Sequence, residues 1–436
     1  MLFLEYSNYN QSTINDNFGA PEYSYWFVRK AFRHILERIG TRVEVKDPKR
    51  EVDDIFRSAR ERGEPCVFLP FCPPNTTPLD QACPTIPVFA WEYDTLPDEV
   101  WNNNPTEDWT HVLRKTGMAM THCQSAAESV RRSMGDAFPT WVIPAPLFDK
   151  YKLAKLDAQG WREPFDLVLE GGLAVSAGDV DLTWFRPERP PADGIDVLRL
   201  LDRNHIHRNK PQVLTLEGVI YTSILNPYDG RKNWRDMVSG FVWAFRETPT
   251  ATLLLKLTRF DVEDGLLPVL QLISTLGPFS CRIVLIHGML SESAYRGLID
   301  CTSYTVNTSY GEGQCLPLME YMSAGRPAVA PAHTAMRDYV TQENSFVIDS
   351  EARLTHWPHD ERTAKRCMHY RVSFADLVHK FRQSYRVARD QPERYERLAA
   401  SAVDSLRAFC SDEVAIARFD DVIKHVEALQ RTTHDA

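Results

Sequence analysis

Two glutamates eight residues apart, Glu312 and Glu320, flank a segment that is predicted to bind an anion. A buried strand is expected to end at Ser309, Gly311-Glu312-Gly313 forms a flexible turn, and a helix begins near Leu316. Unpaired N–H groups and the helix dipole make such a helix start a site for an anion, of which a diphosphate is the natural example. Carboxylates do not bind phosphates, so the two glutamates are predicted to contact the hydroxyls of a sugar and of a ribose.

This segment resembles the E-x7-E signature of retaining family 4 glycosyltransferases, roughly S-x-x-E-G-x-x-L-P-x-x-E-A-x-A-x-G-x-P-V. The positions that agree in order and spacing are Ser309, Glu312, Gly313, Leu316, Pro317, Glu320, Ser323, Ala324, Gly325, Pro327 and Val329. Tyr321 departs from the family, which has a small residue after the second glutamate. The resemblance implies a GT-B fold, in which two Rossmann-like domains face a central cleft.

The resemblance also implies a role for each residue of the segment. Glu312 would contact the sugar that is transferred, and Glu320 would contact the ribose of the donor. The turn at Gly313 and the backbone amides of Gln314, Cys315 and Leu316 would contact the diphosphate. The alternative is that the segment has no functional role and is a strand, turn and helix whose glutamates are solvated or cap the helix.

A second match to the family lies in the R-K-N turn upstream of the signature. Family members carry a lysine in this loop that contacts the diphosphate, and Lys232 occupies that position. The family usually has an arginine some six residues earlier, and this chain has none there. Either Arg231 supplies the missing charge, or Lys256 at the end of a predicted strand does.

Three further loops are candidates for the remaining parts of the site. His287 lies in a loop that resembles the one with which the family binds the nucleobase. Glu92 and Asp94 follow a strand of the first domain, where the family places residues on the acceptor side. Gly19 lies between the first strand and the first helix, where a glycine would allow close approach of the backbone to a phosphate. The alternatives are that His287 is a structural residue at a strand end, and that Glu92 and Asp94 are ordinary charges of a loop.

The elements that must position these residues form two alternating α/β units, which predicts two doubly wound domains. We expect an acceptor domain over residues 1–209, a nucleotide-sugar domain over 210–411, and a last helix over 412–436 that crosses back to the first domain. An irregular stretch rich in glycine and proline, between about Ala158 and Asn209, precedes the boundary.

Composition narrows the class of partner. The net charge of −9 and the isoelectric point of 5.8 argue against a nucleic-acid partner, which requires a basic face. The nine cysteines are scattered singly and are predicted to be reduced thiols rather than metal ligands. Asp179-Val-Asp181 resembles a D-x-D metal motif but lies outside any strand end, so neither a metal nor a cofactor is expected. With no apolar run long enough to span a bilayer, we expect a cytoplasmic protein, with or without peripheral contact at the inner face of the membrane.

The predicted activity is therefore metal-independent transfer of a hexosyl group, with retention, from a UDP-, GDP- or dTDP-linked sugar to a glycan or lipid-linked glycan acceptor, as in polysaccharide biosynthesis. A dehydrogenase is disfavoured because neither domain has G-x-G-x-x-G after its first strand. A non-catalytic subunit of the same fold that binds sugar nucleotides is the main alternative, and the missing arginine is the change expected of one. An epimerase or a phosphorylase on this fold would differ in its products.

Overall fold

A computed structural model describes residues 1–14, 16–17, 19–186, 197 and 212–432, and they form two α/β lobes. The first lobe has two parallel three-stranded sheets, joined by single bridges from Phe68 to Thr85 and from Phe71 to Val88. Its strands are Leu2–Tyr6, Thr41–Glu44, Cys66–Pro70, Val88–Phe89, Ala119–Thr121 and Thr140–Val142. Its α-helices are Ser24–Ile39, Pro48–Glu61, Trp109–Thr116, Gln124–Met134 and Phe148–Tyr151. Residues that follow three of these strands contact the second lobe: Glu92 after Val88–Phe89, Gln124 after Ala119–Thr121, and Ala145 after Thr140–Val142.

The second lobe is built on one eight-stranded sheet. In order across the sheet its strands are Ser345–Val347, Ala328–Ala330, Tyr304–Val306, Gln212–Leu225, Ala251–Leu257, Arg282–His287 and Leu173–Ser176, with Arg162–Leu169 paired to the first half of Gln212–Leu225. The helices that follow its strands are Trp234–Phe245, Val262–Ser274, Glu292–Cys301 and Leu316–Ser323. The strands Ser350–Thr355 and Cys367–Val372 form a separate antiparallel pair.

The predicted domain boundary at residue 209 lies after two strands that belong to the sheet of the second lobe. Arg162–Leu169 and Leu173–Ser176 are antiparallel strands of the second lobe, although both precede that boundary. They pair with strands that follow them in the chain, so the second lobe begins before Arg162. Much of the irregular stretch that suggested the boundary lies outside the described residues.

The last helices bring the chain back to the first lobe, as the sequence predicts. Phe374–Asp390 and Pro392–Cys410 pack on the second lobe, and Asp412–Thr432 follows them. The Phe419 ring of this last helix lies edge-on to Phe3 at 6.1 Å and to Phe32 at 5.9 Å, in the core of the first lobe. The helix Asp412–Thr432 therefore connects the second lobe back to the core of the first.

Candidate functional site

The Glu312 turn lies between the strand Tyr304–Val306 and the helix Leu316–Ser323, which begins at the residue predicted for it. Cys315 precedes the helix in the left-handed region, with φ of 61°. Two hydrogen bonds hold the backbone of the turn at Glu312. The Glu312 N–H donates to the Thr334 hydroxyl at 3.0 Å, and the Ala335 N–H donates to the Glu312 carbonyl at 3.1 Å. The carboxylate therefore projects from a fixed backbone.

Five hydrogen bonds converge on the Glu312 carboxylate, which is 4% exposed. Lys232 Nζ donates to both oxygens, at 2.8 and 3.0 Å, and Arg231 Nη1 donates to Oε2 at 3.1 Å. The Ser309 hydroxyl and the Asn307 amide donate to Oε1 at 2.6 and 3.1 Å. A carboxylate has about four lone-pair positions, so these protein groups fill the capacity of this one. A sugar hydroxyl can bind Glu312 only if one of these donors moves away.

The two cations fix the charge of Glu312. Burial alone would raise the pKa of its carboxyl group, but Lys232 and Arg231 outweigh burial and hold the pKa well below its usual range. The same attraction raises the pKa of Lys232 against the opposing effect of burial. Glu312 is therefore an anion and Lys232 a cation throughout the neutral range.

Arg231 is shared among three carboxylates. Besides Glu312, its guanidinium contacts Glu92 Oε1 at 3.2 Å and Asp229 Oδ2 at 3.1 Å. Burial raises the pKa of Glu92, and Arg231 only partly offsets this effect. When Glu92 is ionised, two cations face three carboxylates; when Glu92 is protonated, the charges balance. Arg231 is in place to supply the charge of the missing upstream arginine, but it is already engaged.

Two glycines allow the lobes to meet at this turn. A Cβ at Gly313 would lie 2.7 Å from the Ala90 Cβ, and a Cβ at Gly311 would lie 2.9 Å from the Glu92 carbonyl oxygen. Real Cβ atoms essentially never show contacts this close, so any side chain at position 311 or 313 would force a shift of this segment of the first lobe. Gly313, predicted to face the diphosphate, here accommodates the first lobe.

Glu320 is half-buried and lies one turn inside the helix, in a second cluster of polar side chains. The Tyr295 hydroxyl donates to its carboxylate, and Tyr151 is also within hydrogen-bonding reach. Burial raises the pKa of Glu320 to about 7, while hydrogen bonds and nearby lysines oppose this effect. Tyr23 of the first lobe hydrogen bonds to Thr258 and lies near enough to Glu320 for this carboxylate to contribute to the raised pKa of Tyr23, whose main cause is burial. Neither Tyr151 nor Tyr295 was identified from the sequence, since no short motif marks them.

Lys256 belongs to the cluster around Glu320 and not to the Glu312 turn. It lies near the end of the strand Ala251–Leu257 and is 5% exposed. Burial lowers its pKa to about 7, with partial compensation from Glu320. Of the two cations that could replace the family's arginine, Arg231 contacts Glu312 and Lys256 faces Glu320.

His287 and Gln314 are buried beside the site. His287 is 4% exposed and lies under the helix Val262–Ser274, where a Cβ at Gly265 would come within 2.8 Å of its ring. Burial lowers the pKa of His287, which favours the neutral ring. The Gln314 side chain accepts a hydrogen bond from the Ala145 N–H of the first lobe at 2.9 Å. Its Nε2 and His287 Nε2 have no hydrogen-bond partner among the described residues.

Two predicted residues of the first lobe, Gly19 and Asp94, lie against the second lobe. A Cβ at Gly19 would lie 2.2 Å from the Thr258 carbonyl oxygen, so this glycine allows the backbones of the two lobes to meet. The Asp94 carboxylate accepts a hydrogen bond from the Met368 N–H at 2.7 Å and lies 3.7 Å from Arg132. Asp94 therefore anchors a strand of the second lobe, and Glu92, two residues earlier, is the carboxylate that reaches Arg231.

In the D-x-D segment, Asp179-Val-Asp181, the second aspartate makes a local capping contact. The Asp181 side chain caps a short 3-10 helix by accepting from the Thr183 N–H at 3.0 Å. Among the residues that the structure describes, no three His, Cys, Asp or Glu side chains lie in an arrangement that could hold a metal ion.

Comparison with solved structures identifies the fold. HepE from Anabaena, in complex with UDP and glucose, superposes with a TM-score of 0.55 at 11% identity, over 98% of this chain and 100% of that one. Sucrose-phosphate synthase from Thermosynechococcus elongatus gives 0.53 at 13% identity, over 98% and 100%. A glycosyltransferase from Rickettsia africae gives 0.51 at 8% identity, with 98% of both chains covered.

These matches extend over both lobes, so the chain has the GT-B architecture of two facing Rossmann-like domains. Identities this low establish the fold alone. No protein-family model matches the sequence, and no curated protein does. The activity must therefore be argued from the site.

Proposed function

We propose that this chain is a retaining, metal-independent glycosyltransferase that moves a hexosyl group from a nucleoside-diphosphate sugar to a glycan or lipid-linked acceptor. The observation that carries the proposal is the contact of Lys232 and Arg231 with Glu312 directly before a helix start, at the interface of two GT-B lobes. In HepE, which has this fold, the bound molecules are UDP and glucose. A UDP-linked sugar is thus the first donor to test, ahead of GDP- and dTDP-linked sugars.

Lys232 would act on the leaving diphosphate. As the bond between the anomeric carbon and the phosphate oxygen breaks, negative charge grows on the diphosphate, and a preplaced cation stabilises that charge. Lys232 uses two of its three N–H donors on Glu312, which leaves one for a phosphate oxygen. The amides at the start of Leu316–Ser323 would supply further donors. These groups take the part that a metal ion plays in other transferases.

Glu312 and Glu320 would then bind the two ends of the donor. When Lys232 or Arg231 turns to the phosphate, a position on the Glu312 carboxylate becomes available to a sugar hydroxyl. Glu320 would accept a hydrogen bond from the ribose, and the proximity of Tyr295 and Lys256 fits a polar ligand at that place. In this scheme the leaving phosphate takes the proton of the acceptor hydroxyl, so no protein nucleophile is required.

A second candidate, a non-catalytic subunit that binds sugar nucleotides, is favoured by one observation. The three carboxylates around Arg231 leave the Glu312 turn without the excess positive charge that a diphosphate calls for. Such a protein would bind the nucleotide sugar and leave its glycosidic bond intact.

The place of action belongs to the proposal as well. None of the helices in the described part of the chain has the length and apolar character needed to cross a membrane. We propose cytoplasmic action in polysaccharide assembly, with peripheral membrane contact when the acceptor is lipid-linked.

The test is to incubate the protein with a panel of UDP-, GDP- and dTDP-hexoses and to measure the release of nucleoside diphosphate with and without EDTA. Proton NMR of the product, with water as acceptor when no glycan works, reports the anomeric configuration. We expect retention and a rate that is unchanged by the chelator. Binding without turnover of any donor would support the non-catalytic subunit, and inversion or a requirement for manganese would contradict the proposal.

A further inference from the structure

The strands Ser350–Thr355 and Cys367–Val372 form an antiparallel pair in the second lobe, and we call them, with the connecting residues 356–366, the interlobe hairpin. The connecting residues do not stay on their own lobe. They insert two rings among tryptophans of the first lobe. The Trp357 ring stacks on Trp101, with centroids 6.2 Å apart and planes 16° apart, and the His359 ring lies nearly parallel to Trp109 at 5.6 Å. Trp357 is only 1% exposed.

Polar contacts surround this aromatic core. Thr95 of the first lobe accepts a hydrogen bond from Trp357 Nε1 at 3.2 Å and donates one to the Arg366 carbonyl at 2.8 Å. Glu99 accepts from Arg362 at 2.8 Å and also contacts the guanidinium of Arg366. A buried aromatic core within a polar and charged rim is the composition of a specific docking interface.

The other end of the hairpin contacts the candidate site. The Tyr370 N–H donates to the Tyr310 carbonyl at 2.8 Å, two residues before Glu312. The Tyr370 ring stacks on His333, with centroids 4.7 Å apart and planes 14° apart. The residue after His333, Thr334, accepts the Glu312 N–H at 3.0 Å. One short element therefore contacts the first lobe at its tip and the Glu312 turn at its base.

We propose that the interlobe hairpin is a clamp whose docking on the first lobe positions the Glu312 turn, and that Trp357 is a positioning residue for transfer. The proposal rests on the proposed function, because positioning matters only if Glu312 binds the donor. Its physical reason is that a pair of strands fixed at both ends transmits the position of its tip to its base. A displacement of about 1 Å at the reacting groups can cost on the order of a hundredfold in rate.

The first experiment perturbs the tip of the clamp. Trp357→Ala removes the docking ring, and Thr95→Val removes both hydrogen bonds of the Thr95 hydroxyl with almost no change in volume. We expect kcat to fall by about tenfold or more while the Kd for UDP, measured by calorimetry, stays within about threefold. The matched control is Trp243→Ala, a tryptophan that is 60% exposed on the second lobe, which should leave both constants unchanged.

A second pair of variants uses charge and spares the core. Glu99→Lys places a cation against Arg362 and Arg366, and the double variant Glu99→Lys with Arg366→Glu restores one attraction across the interface. We expect the single variant to lower kcat and the double variant to recover part of it. Glu351→Lys makes the same charge change on the same hairpin, at a residue that pairs within the hairpin, and should have no effect.

Hydrogen exchange separates this proposal from the proposed function. In Trp357→Ala we expect faster exchange of the amides of Tyr370 and Glu312, and this can be read even if no donor turns over in the wild type. Unchanged exchange of residues 307–313 together with unchanged kcat in both Trp357→Ala and Glu99→Lys would overturn the clamp. An increase in kcat would also overturn it, because the hairpin would then be an obstruction to the acceptor.

Discussion

Replacing Glu312 by Gln removes the charge on which the candidate site is organised, and its consequences can be worked out from the contacts. The carboxylate accepts from Lys232 on both oxygens, from Arg231 on one, and from Ser309 and Asn307 on the other. An amide keeps one oxygen and puts an NH₂ group in place of the second. In either orientation that NH₂ group faces a cationic donor, so at least two charged hydrogen bonds are lost or reversed.

The expected cost in the free energy of unfolding follows from these losses. A hydrogen bond to a charged group contributes about 1.5–3 kcal/mol, and removing one partner of a buried ion pair costs about 3–5 kcal/mol. Lys232 and Arg231 are 20% and 22% exposed, and Arg231 keeps Glu92 and Asp229, so we expect the lower end, about 3 kcal/mol. For a lobe of about 200 residues this corresponds to a decrease in Tm of about 6–12 °C.

The pH dependence provides a check on the cause. The folded-state pKa of Glu312 is depressed, so its contribution is complete above the unfolded value of 4.5 and is lost as pH falls below it. The difference in stability between wild type and Glu312→Gln should be constant from pH 8 to 5 and shrink by up to about 1.4 kcal/mol for each pH unit below 4.5.

Differential scanning calorimetry from pH 8 to 3.5 measures this difference, with Glu351→Gln on the exposed face of the hairpin as the control. Isothermal titration calorimetry with UDP completes the assay, and the Kd should not rise, because the substitution releases Lys232 and Arg231 from a competing anion. The electrostatic reasoning would be refuted if the free energies of unfolding of wild type and Glu312→Gln differed by less than about 0.5 kcal/mol at pH 7, or if their difference grew on acidification. Loss of UDP binding would show that Glu312 holds the nucleotide instead of the sugar.

Three further predictions concern the same cleft. Binding of UDP should be linked to proton uptake, because the charge of the diphosphate raises further a Glu92 pKa that burial already raises. Calorimetry in buffers of different ionisation enthalpy measures this linkage, and Glu92→Gln should reduce it. Burial raises the pKa of Glu320 to about 7, so ionisation of Glu320 lowers the stability of the folded protein as pH rises from 4.5 to 7. Glu320→Gln should therefore stabilise the free protein by up to about 3 kcal/mol at pH 8 and have no effect at pH 4. Thermal unfolding at the two pH values measures this. Gly313→Ala should cost about 1–3 kcal/mol through its clash with Ala90, whereas Gly230→Ala, which has open space around it, should be neutral in the same assay.

The Glu312 turn could be predicted because its signals are local. A strand end, two glycines and a proline in the first turn of a helix act within a few residues, and the helix begins at Leu316 in both the prediction and the structure. The return of the last helix to the first lobe was also predicted.

Other features depended on pairing between distant segments. The strands Arg162–Leu169 and Leu173–Ser176 join the second lobe because their partners come later in the chain, so the predicted boundary at residue 209 was wrong for the sheet. The interlobe hairpin was not foreseen, since Ser350–Thr355 is exposed along most of its length and lacks the alternating pattern of a half-buried strand. Trp357 gave no signal of its own, because its ring packs against Trp101 of the other lobe, which is distant in the sequence.

The sequence by itself determined the type of fold and the place of the two glutamates, since periodicity and turn chemistry are properties of neighbouring residues. Only the tertiary structure decided which charges meet. Glu92 and Asp94 are two residues apart in one loop, yet one reaches Arg231 and the other holds the Met368 backbone. Lys256 and Arg231 were equivalent candidates until their strands and turns placed them beside different glutamates. Electrostatic partners are set by distance in space, and this distance follows from how the two lobes pack together.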